Sequence, residues 1–206
     1  MSSSRIPSGH VSTFRFGSAT VDVTATRDAA VADAWVRALR ASHPRGRRLV
    51  VGLDCKWNQR PPTAAAWMAP RVALLQLCAG SGCLVLQLLH AHRVPEAVRG
   101  FLGDPEVRLV GVGVGDGAAR LAADHGLVCA ALEDLEGPCC EFLGLVGGRR
   151  LGLKGYAKEI LGLNMEKPIS VALSDWEKYH LDMAQIKYAC VDAYVSYMLG
   201  QKVLDN

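Results

Sequence analysis

Apolar and polar positions alternate along residues 12–26, with β-branched residues on both sides of Gly17-Ser18, which predicts a β-hairpin. The period becomes helical over residues 28–42, where Ala, Val, Trp35 and Leu39 share one face. Residues 48–57 begin basic and turn into a run apolar enough for a buried strand. Two more strands are expected at 72–78 and 83–88, with Gly80-Ser81-Gly82 between them as a second hairpin turn. Residues 95–102 read as a short helix with proline near its first turn. A strand at 107–114 leads into a helix reaching about Asp124. Residues 139–146 and 153–161 are helical, the second closed by Gly162, and a long helix runs from about Asp182 to Val203. Residues 1–9, small and polar, form a flexible tail, and 61–70 an irregular loop. No linker divides the rest, so 10–206 is expected to be a single domain. Antiparallel strands first, then alternating strand and helix, predict an α/β fold: a mixed sheet with helices on both faces.

Composition narrows the class. The 206 residues are 50% hydrophobic and 21% charged, as in soluble globular proteins. A formal charge of +3 is too small to announce a nucleic-acid binder by itself. The seven cysteines form no C-x-x-C pair and sit mostly in apolar runs, so they are expected to be reduced, buried thiols. The N-terminus lacks the apolar core of a signal peptide, and no stretch approaches the roughly 20 apolar residues of a membrane span. The expected setting is intracellular, nuclear or cytoplasmic, with no membrane partner.

Three segments carry candidate chemistry. Asp54-Cys55-Lys56-Trp57 ends a buried strand, and residues two apart on a strand share a face at about 7 Å, so Asp54 and Lys56 point the same way. Residues 111–117, Gly-Val-Gly-Val-Gly-Asp-Gly, join a strand to a helix. Their glycines lack the spacing of a dinucleotide fingerprint. Tyr188 and Asp192 are four apart on the last helix and share a face.

With Val72-Ala73-Leu74-Leu75-Gln76-Leu77, Leu153-Lys154-Gly155-Tyr156-Ala157, Ser174-Asp175-Trp176 and Tyr188-Ala-x-x-Asp192-Ala-Tyr194, these segments resemble the DEDD 3′–5′ exonucleases. The resemblance is to the tyrosine subclass and its plant Werner-like group, and it covers about residues 48–203. It implies a ribonuclease H-like fold and two-metal phosphodiester hydrolysis at a single-stranded RNA or DNA 3′ end. In that chemistry four carboxylates hold Mg²⁺ or Mn²⁺ ions about 4 Å apart. It also implies assembly into a homo-oligomeric ring. Asp54 and Asp192 fall on catalytic, metal-holding positions, and Tyr188 on the tyrosine that positions water. The position of the expected Glu holds Lys56, and that of the second-motif Asp holds Gly117, with Asp116 one residue early.

Several readings stay open. Asp116 is either a displaced catalytic acid or a helix N-cap. Lys56 either takes a cation's place, contacting substrate, or extends to water. Trp57 either packs or stacks on a base. Arg47-Arg48 and Arg149-Arg150 either contact phosphates or are simply solvated. The expected function is a 3′–5′ exonuclease-domain protein with a degenerate site and weakened or lost activity. The alternative is a non-catalytic nucleic-acid-binding or assembly module on the same fold.

Overall fold

The computed structural model describes residues 10–43, 46–59 and 70–204. The expected tail at 1–9, and all of the expected loop at 61–70 except Pro70, lie outside them. The first hairpin is β1 (His10–Phe16) and β2 (Ala19–Thr26). Helix α1 (Ala29–Ser42) follows, its start capped by Asp28, whose carboxylate accepts from the Ala30 amide at 2.8 Å. Then come β3 (Leu49–Lys56), β4 (Leu74–Ala79), β5 (Gly82–Gln87), α2 (Glu96–Leu102), β6 (Val107–Gly111) and α3 (Gly115–His125). The chain continues through β7 (Leu132–Asp134), α4 (Glu136–Phe142), α5 (Gly152–Leu161), α6 (Ile169–Ala172) and α7 (Met183–Leu204).

All seven strands join one sheet in the order β1-β2-β5-β4-β3-β6-β7. The pairs β1/β2, β5/β4 and β4/β3 are antiparallel, whereas β2/β5, β3/β6 and β6/β7 are parallel. The expected mixed sheet is therefore present. On one face Leu49, Val51, Leu53 and Cys55 of β3 pack with Val36 of α1, Phe101 and Leu102 of α2 and Leu121 of α3. On the other face α7 crosses the central strands, burying Ala189, Cys190, Ala193 and Tyr194 against Val21, Val23 and Val85. Helices α4 and α5 close over the far side of α7 through Cys139, Tyr156 and Ala157. Covered on two sides, α7 is apolar nearly all round rather than along one stripe.

Two glycines set how closely α7 approaches the sheet. A Cβ at Gly52 would lie 2.0 Å from the Ala193 carbonyl oxygen, and one at Gly200 would lie 2.8 Å from Cγ2 of Val110. Helix α7 opens with a capping box. Asp182 Oδ1 accepts from the Gln185 amide at 2.9 Å, and Gln185 Oε1 accepts from the Asp182 amide at 3.3 Å.

Some expectations need correction. The strand at 107–114 ends at Gly111, because Gly113 turns the backbone to φ +66° and α3 begins at Gly115. The helix expected at 139–146 spans Glu136–Phe142. Asp134 Oδ1 accepts from the Glu136 amide at its start, and Gly144 takes φ +61° just after its end. Strand β7 and the short α6 had no sequence signal. The cysteines are not all free: Cys78 and Cys83 stand opposite each other in the β4/β5 register and form a disulfide. Their five-residue separation conceals that pairing until the hairpin register is known. Cys55, Cys129, Cys139, Cys140 and Cys190 are free thiols.

Candidate active site

Strand β3 and helix α7 build the site between them. Even-numbered positions of β3 face α7, as the contact of Gly52 with Ala193 shows, so Asp54 and Lys56 project toward the helix face carrying Tyr188 and Asp192. Lys56 Nζ donates to Asp54 Oδ2 at 2.5 Å and to Asp192 Oδ2 at 2.6 Å. The two aspartates named from the sequence thus meet through one ammonium. Tyr188 joins them, with Lys56 Nζ 5.2 Å from its ring centroid. Of the two readings of Lys56, the structure shows the inward one. Its side chain is only 15% exposed, against 29% for Asp54 and 4% for Asp192.

A residue with no sequence signal completes the cluster. Lys167, in the connection between α5 and α6, places Nζ 2.9 Å from Asp192 Oδ1 and 5.7 Å from the Tyr188 ring. Both oxygens of Asp192 and one of Asp54 are therefore held by lysines. Burial disfavours a charged Lys56, but Asp54 and Asp192 outweigh it and push its pKa well above the usual lysine value. Burial raises the Asp54 pKa and the charge of Asp192 adds to this, with Lys56 opposing.

The other named residues fall beside this cluster. Asp116 is exposed in the first turn of α3, with no bond to Asp54 or Asp192. Nor does it cap α3: the N-cap is Val114, without a side-chain bond. Gly117 is buried and lines a recess of about 50 Å³ with Asp54 and Trp57. A Cβ at Gly117 would sit 3.3 Å from Cys55 Cβ, so a side chain there fits after a small adjustment. Trp57 packs against the core on the α3 side, with the Arg120 guanidinium 4.9 Å from its ring centroid.

Asn58, just past β3, fastens the site to the turn before α7. Its amide donates to Asp175 Oδ1 and accepts from the Trp176 amide, both at 2.7 Å. Trp176 is buried and packs with its ring 5.8 Å from that of Tyr188. Beside Tyr188 a pocket of about 390 Å³ is lined by Arg15, Lys187 and Val191, among others. Nucleotide-sized ligands need about 300 Å³ or more, so this pocket has room that the Asp54 recess lacks.

The donor set does not fit two divalent cations. Two carboxylates and two ammoniums sum to a formal charge of zero, leaving nothing to offset the repulsion between cations. Among the described residues no group of three or more His, Cys, Asp or Glu could hold a metal ion.

The 3′–5′ exonuclease family model matches residues 23–205. A 3′–5′ exonuclease of Arabidopsis thaliana is 30% identical over 156 residues, covering 75% of this chain and 52% of that protein. The chain thus spans about half the length of that relative. The fold is similar to that of Escherichia coli RNase D (TM-score 0.72, 18% identity, covering 89% of this chain and 44% of that one). It is also similar to the EXD2 exonuclease domain in a crystal soaked in Mn and Mg (TM-score 0.51, 25% identity, covering 89% of each chain). With the family model running from β2 to the end of α7, and the mixed sheet shared with RNase D, this chain belongs to the DEDD-type 3′–5′ exonuclease family.

Proposed function

We propose that this chain is a 3′–5′ exonuclease-domain protein that takes the 3′ end of a single-stranded RNA or DNA beside Tyr188, and that its own residues hydrolyse the strand only weakly. The observation that carries this reading is the bridge of Lys56 between Asp54 and Asp192, where the family resemblance calls for metal-holding acids. Binding has support in the chain's own groups. Arg15 and Lys187 line the pocket beside Tyr188 and offer cations to phosphates. An ammonium has three protons to donate. Lys56 gives two to the aspartates, and Lys167 gives one, so both retain donors for a phosphate oxygen. The metal dependence of the family, with Mg²⁺ or Mn²⁺, belongs to a site with its acids in place, and the residues present here do not supply it.

The test is release of 3′ nucleotides from a labelled single strand in Mg²⁺ and in Mn²⁺, beside the Lys56→Glu/Gly117→Asp variant. The expected result is wild-type turnover at least 100-fold below that of the variant. Wild-type turnover equal to the variant's, abolished by Asp54→Ala or Asp192→Ala, would overturn the weakened-site reading in favour of a fully active enzyme. The pairing of both Lys56 and Lys167 with Asp192 favours a second reading, a non-catalytic nucleic-acid-binding module. Strand binding with no release under any divalent ion selects it.

A further inference from the structure

At the opposite end of the sheet from Asp54, arginines gather around open space. One cavity of about 710 Å³ is lined by His43, Arg47, Arg48, Arg108, Tyr197 and Gln201, together with backbone and apolar groups from β3 and β4. A second, of about 680 Å³, adjoins it through His43 and Arg47 and adds Arg37 and Arg40. Strand β3 has Leu49 at this end and Lys56 at the other. At the usual strand rise that separation is roughly 23 Å, so the cavity is not part of the site described above.

The charge here is only partly neutralised. Arg40 pairs with Asp104, and Arg108 Nε lies 3.1 Å from Glu133. Among the described residues Arg37, Arg47 and Arg48 have no carboxylate partner. Among the described residues Glu106 is the one acid lining either cavity. His43 lines both, and its Nε2 is shielded from solvent with no hydrogen-bond partner among the described residues. Tyr197, half-buried at the cavity wall, adds an aromatic ring beside the arginines. Guanidinium forks match phosphate oxygens in pairs, and an aromatic ring offers a stacking face to a base. A cavity of this volume lies within the range that holds a nucleotide-sized ligand.

We infer that this cavity is a second binding site, for nucleotide phosphates, centred on Arg47, Arg48 and Arg108 and remote from Asp54 and Asp192. The ligand chemistry is a phosphate ester of a nucleotide, carried either by a free mononucleotide or by the backbone of a strand. The inference stands independently of hydrolysis at the β3/α7 site.

The experiment measures binding of 5′-AMP, of inorganic phosphate and of a fluorescently labelled single-stranded RNA to the full chain, by calorimetry and by anisotropy across a salt series. The chains compared are wild type, Arg47→Glu/Arg48→Glu, and Tyr188→Ala as a variant of the other site. Arg47 and Arg48 are both exposed, so their replacement leaves the core intact. Circular dichroism and the melting temperature check that it does. The expected result is at least tenfold weaker binding in the double arginine variant, with a salt dependence shallower by about 1.4 in log–log slope for a single strand. Tyr188→Ala is expected to retain that salt-dependent component. Loss of 5′-AMP binding in the arginine variant assigns the cavity to mononucleotides. Loss of strand binding alone assigns it to a nucleic-acid backbone. Unchanged binding of all three probes in the arginine variant would overturn the site. So would loss of all salt-dependent binding in Tyr188→Ala.

Discussion

Lys56 is held on two sides by acids that would otherwise face each other. Its replacement by Met removes the bridge and leaves Asp192, only 4% exposed, with Lys167 as its remaining ionic partner. Breaking a buried pair from one side costs about 3 kcal/mol, and a loss of that order is expected in urea unfolding of Lys56→Met. Lys167 is more exposed, at 27%, so Lys167→Met should cost under about 1 kcal/mol. Equal losses in the two variants would contradict the central place given to Lys56. The sequence placed Asp54, Lys56, Tyr188 and Asp192 on shared faces through strand and helix periods. It held no sign of Lys167, which reaches the cluster from a connection without regular structure. Nor could it exclude Asp116, since a one-residue offset on a helix turns a side chain by about 100°, and only the packed α3 shows it pointing to solvent.

Among the elements, α7 holds Asp192 in place and depends on small residues beneath it. Gly52→Ala would drive a methyl group into the Ala193 carbonyl, a backbone atom that no rotamer change can move aside. Overpacking of a tight core costs about 1–3 kcal/mol, occasionally more. Gly52→Ala is expected at or above the top of that range, measured by chemical unfolding. Gly80→Ala, with nothing near its Cβ but φ +59°, should cost less, because only backbone strain opposes it. Comparable stability of Gly52→Ala and wild type would contradict the close packing of α7 on β3. At the other face, Asp33 of α1 caps α2 by accepting from the Ala97 amide at 2.8 Å and the Val98 amide at 3.3 Å. Its carboxylate is buried, so Asp33→Ala strands two amides and should destabilise by about 2 kcal/mol.

For the whole molecule, burial of thiols sets an alkaline limit. Burial pushes the Cys129 thiol up to about 11. Burial, with Cys140 and Glu136 adding, pushes Cys139 up to about 12. Unfolded thiols ionise near 9, so above that pH the folded chain retains protons that the unfolded chain has lost. Stability is then fully present below pH 9 and falls as pH rises, by up to about 1.4 kcal/mol per unit for each thiol. Urea unfolding between pH 8 and 10 should show this slope, and Cys129→Ala should reduce it. That window lies below the usual lysine value, so Lys56 does not enter it. A flat profile would count against the buried-thiol origin. Among the described residues no helix is long and apolar enough to cross a membrane, in line with the composition.

Sequence alone determined the kinds and order of the main elements, the mixed sheet, and which residues of β3 and of α7 share a face, Asp54 with Lys56 and Tyr188 with Asp192. These follow from hydrophobic period and local turn chemistry, which act over neighbouring residues. The tertiary structure decided the rest. It showed that Lys56 turns inward, that Lys167 joins it, that Cys78 meets Cys83, and that Arg47 and Arg48, just before β3, meet Arg108 of β6 around one cavity. Each of these depends on strand register or on the docking of distant segments, and no local pattern encodes the distance between residues that only the folded chain brings together.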